Sequence, residues 1–375
     1  MTEKQIKGPP AIAALFDRLI ERGASDLHLA AEYPPMLRLG GDLVPDGDRV
    51  LSASDVEALL VPLLSPAQRE QFETTGDLDF AYAHGTTARF RANYLRKTTG
   101  PGAVFRVIPS KIKTLDQLAV PPGIRKLAEL RAGLVLVTGP TGSGKSTTLA
   151  AMVDHINATR SGHILTIEDP VEFVHQSKQC LITHKEVGDH VPTFIEAIRS
   201  AGRENADVIL VGELRGAETM KAALQLASFG VLIFATVHTN SASATIDRYV
   251  NAFPADQQPQ IRGLLADSLA GVVAQQLVRR ADGSNGRVAV HEILIGNYAL
   301  ASLIREGKTT QIPSMIQAGL AEGMQTMDSA LEKFVAAGTI KARDALEKAL
   351  DKESFARIPA IARHLAPEER ADLDA

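Results

Sequence analysis

Cysteine is almost missing from this chain: Cys180 is the only one among 375 residues. With one thiol, no intrachain disulfide can form and no cysteine-rich zinc module can be built. A strong charge of one sign is missing as well. Lys and Arg total 40 against 44 Asp and Glu, for a formal net charge of −4, so no global basic field favours nucleic acid or an anionic membrane. Long apolar runs are also missing. Val231-Leu232-Ile233-Phe234-Ala235-Thr236-Val237 is among the longest, and it is far shorter than a bilayer span. The opening Met1-Thr2-Glu3-Lys4-Gln5 is polar and lacks a signal-peptide core. No internal repeat or low-complexity tract is present. What is there, 45% hydrophobic and 22% charged residues, is an ordinary globular composition at a length suited to two domains or one large one. These features predict a soluble cytoplasmic protein with no nucleic-acid partner and no membrane insertion.

The chain changes texture along its length. Residues 1–110 read as a small mixed domain. Ile12, Leu15, Phe16, Leu19 and Ile20 recur at helical spacing between Pro10 and Gly23. Leu78, Phe80 and Tyr82 alternate, then His84-Gly85-Thr86-Thr87 turns into Phe90, Ala92 and Tyr94, a hairpin with one buried face. Its other face carries Arg89 and Arg91, and Arg106 interrupts the apolar run Val104–Ile108. A guanidinium in such a strand needs an anionic partner or a solvent-facing position, and the pattern leaves both open. Residues 111–123, with Pro121-Pro122, read as a linker. From Leu134 onward apolar runs alternate with helical patterns, as in a parallel sheet covered on both faces. Predicted strands are Leu134–Thr138, His163–Ile167, Val208–Val211 and Val231–Val237. The last hundred residues read as mainly helical, and 351–375 as a charged tail.

Gly139-Pro140-Thr141-Gly142-Ser143-Gly144-Lys145-Ser146-Thr147 fills every position of a phosphate-binding loop, between an apolar strand and a helix bearing Leu149, Met152, Val153 and Ile156. Gly139, Gly142 and Gly144 let backbone N–H groups approach phosphate oxygens, alongside Thr141, Ser143 and Thr147, and the helix start adds positive potential. Lys145 suits the β/γ-phosphates of ATP and the Ser146 hydroxyl suits Mg²⁺. Three further strands end in polar groups: Glu168-Asp169-Pro170, Gly212-Glu213 and His238-Thr239-Asn240. Ligands of open α/β sheets bind beyond such strand ends. Glu213 suits metal work, Glu168 water activation, and His238 sensing of the γ-phosphate. His155, His163, His175, His184 and His190 lack metal-ligand spacing, and His184 and His190 read as surface residues flanking a loop.

At these residues the chain resembles the type II/IV secretion ATPase superfamily, most closely its PilT/PilU-like pilus-retraction branch. Similar blocks include Ala24–Leu29, Ala103–Lys111, Gly133–Ala151, Ile164–His175, Val208–Arg215, Thr236–Arg248, His291–Leu294 and Gly323–Thr326. The resemblance implies an α/β chain, with a PAS-like α+β domain at 1–110. A RecA-like ATPase domain at 124–350 follows, its C-terminal part mainly helical, and the chains assemble as a homohexamer. It implies an acidic box of Glu168, Asp169 and Glu172 with Glu168 as general base, an atypical Walker B at Gly212-Glu213, a histidine box at His238, and Mg²⁺ on Ser146 and Glu213. It also implies that Arg91 and Arg106 reach toward nucleotide. Departures are Gly216, where the family usually has an acidic residue, Ser228-Phe229-Gly230-Val231 in place of E/Q-T-G-H, and Ala299–Glu306, which keeps only the second half of its block.

The implied function is a Mg-dependent ATPase motor that drives type IV pilus retraction and twitching. It would sit in the cytoplasm at the inner-membrane base of the pilus machine, against a platform protein. The alternatives are a low-turnover accessory ATP-binding paralogue and a pilus-assembly or type II secretion ATPase. Relatives of the last kind usually carry a four-cysteine zinc module, which this chain lacks. A DNA-translocating motor is disfavoured by the acidic charge balance.

Overall fold

The helical spacing near the N-terminus is realised in the helix Pro10–Glu21, which buries Ile12, Leu15, Phe16 and Leu19. The computed structural model describes residues 10–85, 87–108, 111–284 and 286–365. The chain divides into one unit drawn from Met1–Lys111 and Asp169–Val174, and a second from Ile112–Glu168 and His175–Ala375.

The first unit holds strands β1 (Asp26–Ala30), β2 (Met36–Leu39), β3 (Asp42–Pro45), β4 (Asp77–His84), β5 (Ala88–Lys97) and β6 (Gly100–Ile108), in spatial order β3-β2-β1-β6-β5-β4. All neighbours run antiparallel. The predicted hairpin is β4–β5, with Leu78 opposite Tyr94, Phe80 opposite Ala92 and Tyr82 opposite Phe90. These side chains form the buried face, and Phe16 stacks on Phe90 at 4.5 Å between ring centres. On the other face Asp26, Arg106 and Arg91 form one cross-strand row.

The second unit is built on β7 (Gly133–Thr138), β8 (Gly162–Glu168), β9 (Cys180–Glu186), β10 (Val208–Val211), β11 (Leu232–Val237), β12 (Leu269–Arg279) and β13 (Arg287–Ile295), ordered β13-β12-β7-β11-β10-β8-β9. Every pair is parallel except β12–β13. All residues of β7, β10 and β11 are buried, which is why they read as unbroken apolar runs. Alternation along β7 sends Leu134 and Leu136 into one core and Val135 and Val137 into the other. The late strand β11 lies between β7 and β10 and brings its C-terminal end beside theirs.

The structure differs from the sequence reading in three places. First, β12 and β13 make a long hairpin, of which Leu269–Arg279 reaches into the last hundred residues and Arg287–Ile295 lies wholly within them, a strand pair in a stretch that reads as mainly helical and is helical beyond it. Second, His184 lies on β9, half-buried, while His190 is exposed in the turn beyond it. Third, Lys352–Arg357 and Pro359–Ala362 are helices, and Phe355, Ile361 and Leu365 are buried with Val290, Met327 and Leu331. Enough apolar surface is buried there to order the segment. Residues 366–375 lie outside the described residues. Within 111–123, Leu115 is buried in the second unit's core. Cys180 opens β9 buried, its Sγ donating to Arg160 O at 3.0 Å, and burial pushes its thiol pKa up. Among the described residues no helix is long and apolar enough to cross a membrane.

Candidate functional site

The glycine-rich loop leaves β7 at Thr138 and enters the helix Lys145–Thr159. Gly144 caps that helix at φ +84° with no side-chain cap, so the first-turn N–H groups remain available to an anion. Gly139 sits at φ +145°, and a Cβ there would lie 2.2 Å from Gln275 O; only glycine fits. Thr141 and Gly142 are exposed at the crest, Ser143 is buried, and Ser146 and Thr147 are half-buried in the first turn. Lys145 is 8% exposed, and its Nζ donates to Gly139 O at 2.9 Å and Pro140 O at 3.1 Å. Its charge is therefore held inside the curve of the loop.

Hydroxyl groups tie this loop to the end of β11. Thr239 N donates to Thr138 Oγ1 at 2.8 Å, the two threonine hydroxyls are 2.6 Å apart, and Thr239 Oγ1 lies 2.6 Å from Thr245 Oγ1. Beside Thr239, His238 Nε2 lies 3.3 Å from Glu213 Oε1, and Arg215 Nη2 donates to Glu213 Oε2 at 2.7 Å. Arg215 chiefly, with His238, holds the Glu213 carboxyl below its ordinary pKa against the opposing effect of burial. Glu168 ends β8, 7% exposed, and Gly212 packs on it closely enough that a Cβ there would be 3.4 Å from Glu168 Cα. With strands about 4.8 Å apart, Glu213 and Glu168 stand roughly 10 and 14 Å to one side of β7. A cleft of ≈680 Å³ opens beside Glu213, Arg215, His238 and Arg248.

The structure thus brings Lys145, His238, Glu213 and Glu168 to one edge of one sheet. The other expected residues outside the phosphate loop group with the first unit, Asp169 and Glu172 of the acidic box among them. Arg91 and Arg106 also belong to that unit, where Arg106 Nε donates to Asp26 Oδ1 at 2.8 Å and Arg91 Nη2 lies 3.5 Å from Asp79 Oδ2. Arg106 thus has both a solvent-facing position, its side chain being 68% exposed, and an anionic partner in the buried Asp26 carboxylate. Burial alone would raise the pKa of Asp26, but hydrogen bonds from Ser25 and Arg106 outweigh it and hold the carboxyl low. Gly216 adopts φ +82° at the start of the helix Ala217–Ser228, a conformation that an acidic residue would adopt only with strain. Sequence reasoning gave no role to Arg248 or Gln275; both sit in stretches whose local pattern carries no chemical signature.

Two further histidines, His175 buried and His184 half-buried, serve other ends. His184 Nδ1 lies 2.8 Å from Thr166 Oγ1, its Nε2 accepts from His175 N at 3.1 Å, and the two rings stack at 6.0 Å. Among the described residues no group of three or more His, Cys, Asp or Glu could by itself hold a metal ion.

Residues 75–347 match the model of the family described as "Type II/IV secretion system protein". The chain is 48% identical over 335 residues to the type IV pilus retraction ATPase PilT of Pseudomonas aeruginosa, covering 89% of this chain and 97% of that one. It is 48% identical over 321 residues to a twitching motility protein of Neisseria gonorrhoeae, covering 86% of each. A crystal structure of the pilus retraction motor PilT with bound ADP superposes with a TM-score of 0.86 at 40% identity, covering 92% of this chain and 99% of that one.

Proposed function

Because the chain belongs to the type II/IV secretion system protein family, we propose that it is an ATPase motor that retracts a type IV pilus. The observation that carries this reading is a complete phosphate loop whose sheet edge also gathers Glu168, Glu213 and His238, in a chain similar along 89% of its length to a pilus retraction ATPase. In this reading the chain forms a homohexamer at the cytoplasmic base of the pilus machine, against an inner-membrane platform protein.

The loop N–H groups and Lys145 bind the β- and γ-phosphates of ATP. Glu168 takes the proton from the attacking water. His238 contacts the γ-phosphate and, through Glu213, couples its presence to the end of β10. Oxygen donors on Ser146 and Glu213 suit Mg²⁺, which takes one or two carboxylates together with substrate phosphates rather than an all-protein cage. The ion would draw charge off the phosphates. Arg91 and Arg106 act on nucleotide bound by a neighbouring subunit.

A second reading, an accessory ATP-binding subunit with little turnover, is favoured by Gly216 and by Phe229, which is 82% exposed where the family pattern has a polar residue. Two measurements decide. ATPase turnover of the purified chain separates motor from accessory subunit, and pilus number with twitching in a deletion strain separates retraction from assembly. Loss of pili on deletion would overturn the retraction reading.

A further inference from the structure

The hairpin β12–β13 carries buried polar side chains that the reading above does not use. Gln275 is 2% exposed, and His291, directly opposite it in register, is 3% exposed. Gln275 Nε2 donates to Ser143 O, inside the phosphate loop, at 2.6 Å. A carbonyl oxygen can only accept, so the group facing it must be the amide NH₂. Gln275 Oε1 is then an acceptor, and it meets Thr148 Oγ1 at 2.7 Å and His291 Nε2 at 3.1 Å. Both of these must donate, which fixes His291 as the Nε2–H tautomer. Gln275 also bounds the loop sterically. A Cβ on Gly139 would meet its carbonyl oxygen, and one on Gly144 would lie 2.9 Å from its Nε2. One residue therefore touches the loop's first glycine, its middle, the glycine at the helix start and, through Thr148, the helix itself.

We propose that Gln275 is a positioning residue that holds the phosphate loop in its phosphate-accepting curve, and that His291 sets the orientation of the Gln275 amide. The inference rests on the nucleotide reading of the loop. A glycine-rich loop has more backbone freedom to lose than any other segment of its length. Fixing its curve before nucleotide arrives removes that cost from binding. The amide is suited to this task because it is donor and acceptor at once. A carboxylate of the same size would turn lone pairs toward Ser143 O and lose the donor.

The test uses the full chain with a fluorescent ADP analogue as probe. Gln275→Glu should bind it at least about tenfold more weakly, the scale of one buried hydrogen bond lost, at a temperature where the variant is fully folded. His291→Leu should weaken binding in the same direction. His291→Gln, which keeps a donor at the same place, should restore it to within about threefold. A role in packing alone would lower the melting temperature of these variants and leave the dissociation constant unchanged, and that result would overturn the proposal. Should the variants not fold, nitrogen-15 histidine spectra of the wild-type chain decide: a protonated Nε2 at His291 supports the assignment, and an Nδ1–H tautomer, which leaves Nε2 without a proton to donate, overturns it. If the wild-type chain does not bind the probe, the nucleotide reading fails and takes this inference with it. If the wild-type chain binds and Gln275→Glu binds equally well, the inference alone fails.

Discussion

His238 Nε2 stands 3.3 Å from Glu213 Oε1, so the ends of two adjacent strands meet on one carboxylate. Arg215 occupies the other oxygen of that carboxylate. Any group that draws Glu213 toward a bound phosphate must therefore compete with a cation on one side and an imidazole on the other. The arrangement gives Arg215 a measurable influence on Glu213.

Arg215→Ala removes the hydrogen bond that does most to hold the Glu213 carboxyl low. Its pKa should rise toward the ordinary 4.5. The acidic limb of the kcat/KM profile for ATP should move to higher pH. An unmoved limb would show that Glu213 does not titrate in the rate-limiting complex.

Lys145→Ala should abolish ATPase activity and weaken nucleotide binding by about ten- to a hundredfold, the scale of a hydrogen bond from a charged group. Gly139 O, which is buried, and Pro140 O each lose a donor, so the melting temperature should fall modestly while the chain stays folded. Calorimetric titration with ADP and a thermal melt check both halves. Wild-type turnover in this variant would remove the phosphate role from the loop.

Glu168→Gln should bind ATP and hydrolyse it about 10²–10⁴-fold more slowly, the range of positioned proton transfer. Glu213→Gln should instead raise the Mg²⁺ concentration needed for half-maximal rate. Steady-state rates across a Mg²⁺ series separate the two, and exchanged phenotypes would exchange the roles.

His175 and His291 are each pushed down to about 4, in both cases chiefly by burial. Between pH 6.5 and 4 the unfolded chain binds protons at these rings and the native chain does not. Stability therefore rises with pH across that window and is lost as pH falls through it, by about 3 kcal/mol for each ring. Urea midpoints measured from pH 7 to pH 4 should fall steeply for the wild-type chain and less steeply for His175→Gln. Parallel slopes would show that His175 is protonated in the native state.

Arg106→Ala and Lys145→Ala proteins should each be inactive. If Arg106 serves a neighbour's nucleotide, mixed rings contain some interfaces with both residues intact, and mixing should restore part of the activity. Demonstrated subunit exchange without recovery would place the effect of Arg106 within its own subunit, at Asp26.

What could be read in advance follows from the range of each interaction. The phosphate loop was legible because its chemistry sets residue types within nine consecutive positions, Gly139 to Thr147. Strands β7, β10 and β11 were legible because burial on both faces leaves unbroken apolar runs. Strands β9, β12 and β13 were not, because Thr183-His184-Lys185, Gln275-Gln276 and His291-Glu292 interrupt theirs. Those polar groups bond to distant partners: Gln275 to Ser143, 132 residues away, and Glu292 to the N–H of Ala242, 50 residues away. No local pattern reports such a pair. The need of Arg106 for an anion or for solvent was legible, but Asp26, 80 residues away, was not. The C-terminal helices were hidden because Phe355, Ile361 and Leu365 are sparse among charges, and only their shared cluster reveals a core.

Cys180 brings a practical advantage. Its thiol is buried, donates to a backbone carbonyl and has a raised pKa, so little of the reactive thiolate forms at neutral pH and reagents reach it slowly. The natural chain is thus close to a silent background for thiol chemistry. A cysteine introduced at an exposed position of each unit would take spin labels or fluorophores selectively. The distance between the two labels could then be followed through a turnover cycle without first removing a native residue.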